Sequence, residues 1–193
     1  MKTRKQSHTR QKILDAAYQL FYEQGYQSTT VDQIIEKSGI SKPTVYSYFS
    51  TKEDLCVAYL KERHQRETDS LIEAIEWEKT PHDRYMAVIR WLKRALMSSG
   101  YRGCGFFNMV SEIPDPGNPI IVEAKTYIDS LRDTIKSLVL DLKNSDPEKK
   151  NLDPDRIADA YYLILGGAIM GSQEYREPWP IDRAISEVEK LVQ

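Results

Sequence analysis

The chain has 193 residues, 40% of them hydrophobic and 29% charged, with a formal net charge of −2. That composition suits a water-exposed surface around a packed core, and the longest near-apolar run, residues 161–170, is far short of the ~20 needed to cross a bilayer. Two cysteines, Cys56 and Cys104, are too few for a disulfide scaffold, and no apolar segment follows the basic start, so a cytoplasmic protein without a signal peptide is expected.

The charge is unevenly spread. Residues 1–52 hold Lys2, Arg4, Lys5, Arg10, Lys12, Lys37, Lys42 and Lys52 against Asp15, Glu23, Asp32 and Glu36, a surplus of +4 that leaves −6 for the remainder. A basic head on an acidic body implies a polyanionic partner for the head, or an ordinary solvated face. Residues 2–10 read as a flexible basic tail, able to reach a minor groove or phosphates, or inert. Ile13, Leu14, Ala17, Leu20 and Phe21 then recur at three- and four-residue steps, which predicts a first helix, stopped at Gly25. Thr29 or Thr30 caps a second helix with Val31, Ile34 and Ile35 on its inner side. Ser38 and Gly39 break it, Ile40 plugs the turn, and Ser41 caps a third helix whose first turn accepts Pro43.

Helix, short glycine-containing turn, helix is the helix-turn-helix pattern. Val45 and Phe49, four apart, anchor the third helix inward. Lys42, Thr44, Ser47 and Tyr48 then face outward, where side chains reach phosphates or base edges, with Tyr46 beside them. Lys52 adds a cation at the start of the next helix. A competing reading makes Tyr46 and Tyr48 half-buried packing residues.

Residues 10–55 resemble the TetR family of transcriptional regulators almost position by position, through the signature ILDAA..LF...GY..TTV..I...SG.S..T.Y.YF..KE.L. The resemblance implies an all-α fold of about nine helices: a three-helix DNA-binding head, residues 1–52, and a larger effector-binding and dimerisation body, residues 53–193. It implies a homodimer on double-stranded operator DNA, usually a repressor relieved by a small molecule. Carried over by position, Thr30, Ser41, Lys42, Thr44, Tyr46, Ser47, Tyr48 and Lys52 are the DNA-contact residues. Tyr46 and Lys52 resemble phosphate contacts; Thr44, Ser47 and Tyr48 stand closest to bases. Pro43 replaces the more frequent glycine, which removes a backbone amide there.

The body continues with a long helix from Lys52, with Leu55, Tyr59, Leu71, Ile72 and Ile75 inward and a charged middle, residues 61–69, read as solvated or spanning between head and body. His64 within it reads as a surface residue. A further helix opens at Thr80-Pro81 and ends at residues 98–100, with Tyr85, Val88, Ile89, Leu92 and Leu96 on one face. Residues 101–120 then place Gly103 and Gly105 around Cys104, ahead of Phe106, Phe107, Asn108 and Met109. This segment resembles a TetR subgroup with a Gly-Cys-x-x-x-Asn element, in which the cysteine is an oxidant or electrophile sensor in some members and structural in others. Both readings stand for Cys104, the other being a small buried hydrophobe.

A long helix follows Asn118 or Pro119, then a charged loop over residues 144–153, then a helix from Asp153 or Asp155. A WPID turn precedes a last amphipathic helix carrying Ile181, Ile185, Val188, Leu191 and Val192. Gly166, Gly167 and Gly171 let another backbone approach. The last two helices carry more apolar surface than a small body hides, so a four-helix interface with a second copy is expected.

Candidate effector-lining residues are Trp91, Tyr101, Cys104, Phe107, Asn108, Met109, Tyr127 and Tyr161, and their character suits a hydrophobic or electrophilic small molecule. Two other classes remain at this stage. One is a thiol-dependent enzyme using Cys104, opposed by the placement of His8, His64 and His82 away from any base-bearing motif. The other is a regulator controlled by a protein partner. No motif requires a metal or cofactor, so none is expected.

Overall fold

The computed structural model describes residues 2–193, with side chains from Gln6 onward. Among the described residues there are nine α-helices and no strand. They are α1 (Lys2–Gln24), α2 (Val31–Ser38), α3 (Lys42–Tyr48), α4 (Lys52–Glu76), α5 (Pro81–Ser98), α6 (Gly105–Glu112), α7 (Pro119–Ser145), α8 (Pro154–Tyr175) and α9 (Trp179–Lys190). The all-α expectation is met. The chain forms two compact units, Met1–Gln65 with Gly105–Thr126, and Arg66–Cys104 with Tyr127–Gln193. Helices α4 and α7 contribute residues to both.

The first unit is built on α1. Its stripe Ile13, Leu14, Ala17 and Phe21 is buried, at 0–2% exposure, as the periodicity predicts. The helix already runs from Lys2, which corrects the reading of residues 2–10 as a flexible tail; the side chains of Lys2, Arg4 and Lys5 lie outside the described residues. Nothing in that stretch breaks a helix, and apolar patterning does not mark where a polar helix starts. Gly25, at φ +89°, takes the left-handed turn that ends α1. Leu55, Tyr59 and Leu60 of α4 and Phe106 and Met109 of α6 complete this core. Each fully buried side chain of this kind contributes about 1.5–3 kcal/mol.

In the second unit two buried tyrosines join three helices. The Tyr161 hydroxyl, on α8, donates to the Tyr85 carbonyl and accepts the Ile89 N–H, both at 3.1 Å, so it sits against one rung of α5. The Tyr85 hydroxyl in turn donates to the Val188 carbonyl of α9 at 3.0 Å. Burial pushes both phenols above their ordinary pKa, so they remain neutral donors. Gly171 faces Pro180, where an added Cβ would come within 3.0 Å, so this glycine does allow the first turn of α9 to lie close to α8. Gly167 instead faces open space.

Four further sequence expectations shift. Trp179 and Pro180 open α9 and do not form a turn before it, because proline fits a helix's first turn. Ile72, expected inward, is exposed. The charged loop contains a turn of 3-10 helix, Pro147–Lys149. Arg63, in the charged middle of α4, is buried, with only 8% exposure.

Replacing Tyr161 by Phe removes one hydroxyl from a fully buried site while keeping its ring. The α5 rung can close on itself, so the expected loss is about 1 kcal/mol in urea denaturation. A loss several times larger would mean that the hydroxyl holds α5 in place.

Candidate DNA-binding interface

Helix α2 is capped at both ends by the residues the sequence singled out. Thr30 accepts the Gln33 N–H at 3.2 Å, and the Gln33 side-chain oxygen accepts the Thr30 N–H at 2.8 Å, forming a reciprocal capping box. Gly39, at φ +65°, closes the other end with its N–H on the Ile35 and Glu36 carbonyls. Thr29 takes a different part: it is buried, and its hydroxyl donates to the Gly25 carbonyl at 2.7 Å. Ser41 occupies the N-cap position of α3 but makes no side-chain cap bond; its hydroxyl pairs with that of Thr44 at 2.8 Å. That revises the expected cap.

Val45 and Phe49 are buried, at 1% and 6% exposure, which fixes the rotation of α3. Ser41, Lys42, Tyr46 and Ser47 are exposed and Thr44 is half-buried, so one solvent-facing row carries hydroxyls and a cation. Lys42 pairs with Asp32 at 2.9 Å across the turn, both side chains largely exposed, and this pairing holds its pKa above the usual lysine value. An exposed pair of this kind contributes little to stability. A phosphate can therefore displace Asp32 at small cost.

Two of the candidates have internal work as well. The Tyr48 hydroxyl donates to the Gln6 carbonyl of α1 at 3.2 Å. The Lys52 ammonium donates to the Tyr26 and Thr29 carbonyls at 2.9 and 3.0 Å and lies 4.1 Å from the Tyr26 ring centroid. Lys52 thus ties the start of α4 to the turn between α1 and α2. Partial burial, then Cys56 and Glu53, raises the Tyr26 phenol to about 12. Thr51 and Asp54 cap α4 reciprocally, Asp54 accepting the Thr51 N–H at 3.1 Å and Thr51 the Asp54 N–H at 2.9 Å. All eight candidate DNA-contact residues lie in the first unit.

The candidate effector residues are divided between the units. Phe107, Asn108 and Met109 lie on α6 in the first, whereas Trp91, Tyr101, Cys104, Tyr127 and Tyr161 lie in the second. Met109 is fully buried, its sulfur 3.9 Å from the Cys56 thiol. Tyr161 is fully buried with its hydroxyl already engaged, so it has no polar atom to offer a ligand. Trp91 is half-buried, its indole N–H donating to the Ser70 hydroxyl at 3.1 Å. Tyr101 holds a left-handed backbone, at φ 58°. Cys104 is half-buried, and Cys56 is fully buried. Burial raises the Cys56 thiol far above its ordinary pKa, which outweighs the nearby Lys52 charge and leaves it protonated and unreactive.

Three residues without a role in the sequence reading meet at the head: Arg63 and Glu112 pack against it, and Gln27 is the part of it that Glu112 reaches. The Glu112 carboxylate accepts the Gln27 N–H at 2.8 Å. The available signals were Tyr18 and Tyr22, four apart on α1, and the glycine at 105. Neither points to a partner more than forty residues away along the chain.

This geometry defines the class: a helix-turn-helix head whose second helix presents a polar row outward. Residues 13–59 match the family model described as bacterial regulatory proteins, tetR family. The match covers the head alone, which is similar to that family's, while the fold agrees with solved structures along nearly the whole chain. The TetR-family transcriptional regulator SCO4454 from Streptomyces coelicolor superposes with a TM-score of 0.87 over 96% of this chain and 95% of that one, at 24% identity. The fatty acid metabolism regulator protein of Bacillus subtilis (strain 168) is 31% identical over 78 residues, covering 40% of each chain. The HTH-type transcriptional activator FasR of Mycolicibacterium smegmatis is 36% identical over 66 residues, 34% of this chain and 28% of that relative. The chain thus spans less than half the length of these curated relatives.

Substituting Lys42 by Ala removes an exposed ion pair and one candidate phosphate contact. DNA affinity should lose about 0.9 from its log–log salt slope, with the melting temperature unchanged. Lys52→Ala should also cost about 1–2 kcal/mol of stability, because two backbone carbonyls lose a charged donor. Salt titrations of binding together with thermal melts separate the two.

Proposed function

We propose that the chain is a DNA-binding transcriptional regulator that sits on a palindromic operator as a homodimer and is released by a small hydrophobic or electrophilic effector. The observation that carries this is the outward row Lys42, Thr44, Tyr46 and Ser47 on a helix locked inward by Val45 and Phe49. In this reading Lys42, Tyr46 and Lys52 engage phosphates, and Thr30 and Ser41 place their hydroxyls on the backbone. Thr44, Ser47 and Tyr48 meet base edges in the major groove. The first group sets salt-dependent affinity and the second sets sequence preference. Residues 1–52 act as the DNA-binding head and residues 53–193 as the effector and dimerisation body, with the protein acting in the cytoplasm where its operator lies.

The dimer is placed on α8 and α9. Leu163, Gly167 and Met170 share one face of α8 at four- and three-residue spacing. Leu163 and Met170 are 70% and 68% exposed, and Tyr175 and Trp179 add an exposed aromatic pair with ring centroids 5.2 Å apart. A second copy would cover this surface, with Gly167 allowing close helix approach. Two heads on a two-fold axis then read half-sites ~34–36 Å apart, or a multiple of that.

Phe107 and Asn108 in the first unit, and Trp91, Tyr101, Cys104 and Tyr127 in the second, are proposed as effector contacts, with Met109 and Tyr161 as packing residues of their own units. Asn108 supplies a polar contact and Cys104 a thiol for an electrophile. No residue is assigned a catalytic role. Effector and DNA must oppose each other by one reciprocal factor.

Selection of genomic fragments by the purified protein tests the DNA reading: enrichment of a palindrome is expected, and recovery of unrelated fragments would end it. Leu163→Arg should leave the protein monomeric in analytical ultracentrifugation at micromolar concentration and abolish tight operator binding. A variant that still sediments as a dimer would place the interface elsewhere.

A further inference from the structure

The loop from α7 to α8, the first two turns of α8 and Leu191 after α9 enclose a cavity of about 340 Å³. That volume lies in the range of small-molecule sites, roughly 300–1,000 Å³. None of its lining residues is a candidate DNA contact or a candidate effector contact. Leu152, Ile157, Ala160 and Leu191 supply apolar walls. Ile157 is buried and the other three are half-buried, so apolar surface stays wet here until something covers it.

The walls are held in place by polar ties. The Lys143 ammonium of α7 donates to the Leu152 carbonyl at 2.9 Å. The Asp153 carboxylate accepts the Arg156 N–H at 3.2 Å, which fixes the start of α8. Lys149 donates to the Gln193 carbonyl at 3.4 Å, joining the loop to the residues after α9. A cavity so braced is formed before a ligand arrives, which spares the ligand the entropy of ordering it.

The charge of the cavity is set by Arg156, which lines it from an exposed position. Asp155 and Asp159 flank that arginine along α8, yet α7 takes both: Lys136 pairs with Asp155 at 2.5 Å, and Arg132 pairs with Asp159. Asp153 is engaged in the cap. Among the described residues the Arg156 guanidinium therefore has no acid partner. Asn151 adds a side-chain amide to the same lining. A guanidinium matches a carboxylate with two parallel hydrogen bonds. The Asp153 charge, also on the lining, opposes a ligand with a second negative group.

We propose that this cavity is a small-molecule site, distinct from the proposed effector contacts, for a monocarboxylate with an unbranched apolar chain. The carboxylate rests on Arg156 and Asn151, and the chain covers Leu152, Ile157, Ala160 and Leu191. An inorganic anion would leave the apolar walls wet, and a neutral hydrocarbon would leave the guanidinium without a partner. The site goes beyond the DNA-binding reading and does not rest on it.

The test needs no DNA: the full chain is titrated with butanoate, hexanoate and octanoate, and its backbone amides are followed by NMR. Amides of residues 151–160 and of Leu191 should shift, with affinity rising about two- to fourfold for each added methylene. Arg156→Gln, at an exposed position, should bind octanoate at least about tenfold more weakly. Octanol, which has the chain but no charge, should bind the two proteins alike. Affinity independent of chain length would mark an adventitious anion on a surface arginine and overturn the proposal. So would octanoate binding that survives Arg156→Gln, or shifts confined to residues such as Trp91 and Tyr101. Amides at 151–160 that no probe moves would leave the cavity to another occupant, a second copy included, and overturn it as well. The wild-type series decides the matter even where the variant fails to fold.

Discussion

Helices α2 and α3, of eight and seven residues, are too short to stand by themselves in water. Each buries a single residue, Ile34 or Val45, so neither carries enough apolar surface to fix its own orientation. Their geometry is borrowed from α1 and α4, and the contacts that lend it are polar as much as apolar. Lys52 reaches two carbonyls around the α1–α2 turn, Tyr48 reaches the Gln6 carbonyl, and Thr29 folds the turn back on Gly25. The outward row exists because those attachments hold it.

The same logic explains why a buried arginine is tolerated in the first unit. A charge out of water is costly unless it is compensated. Here the guanidinium meets the faces of Tyr18, Tyr22 and Phe106 and the Tyr59 hydroxyl, and the missing side chain at Gly105 leaves it space. An aliphatic residue would fill the volume but would not select that ring arrangement. The arrangement couples a helix read as part of the body to the helix on which the head is built. The second unit reaches its order differently, through Tyr85 and Tyr161 bonding to backbone carbonyls across α5, α8 and α9. One unit is stitched by a cation among aromatics, the other by neutral phenols that burial keeps protonated.

Local signals carried the head well. Capping threonine, left-handed glycine and the four-residue spacing of Val45 and Phe49 are short-range rules, and each element they govern stands where they put it. The start of α1 is not legible in the sequence, because a polar helix carries no apolar period, only an absence of breakers. The sequence reading has Ser41 capping α3, whereas its hydroxyl bonds that of Thr44 and leaves the cap bond unmade, an outcome that no spacing rule sets. Period alone puts Ile72 inward, although burial also requires a neighbour at that height of the helix, and Ile72 is exposed. WPID reads as a turn in sequence but opens α9, because Pro and Asp occur in turns and at helix starts alike.

By itself, then, the sequence determined the all-helical class, the helix-turn-helix and the rotation of its second helix, because caps, breakers and period act within a few residues. The tertiary structure alone decided which charges are spent internally and which face solvent. Arg63 and Lys52 have the composition of surface residues, and only the approach of residues distant in sequence turns one into a buried strut and the other into a tie. Glu112 and Gln27, 85 positions apart, are joined by folding, and no pattern along the chain encodes that meeting.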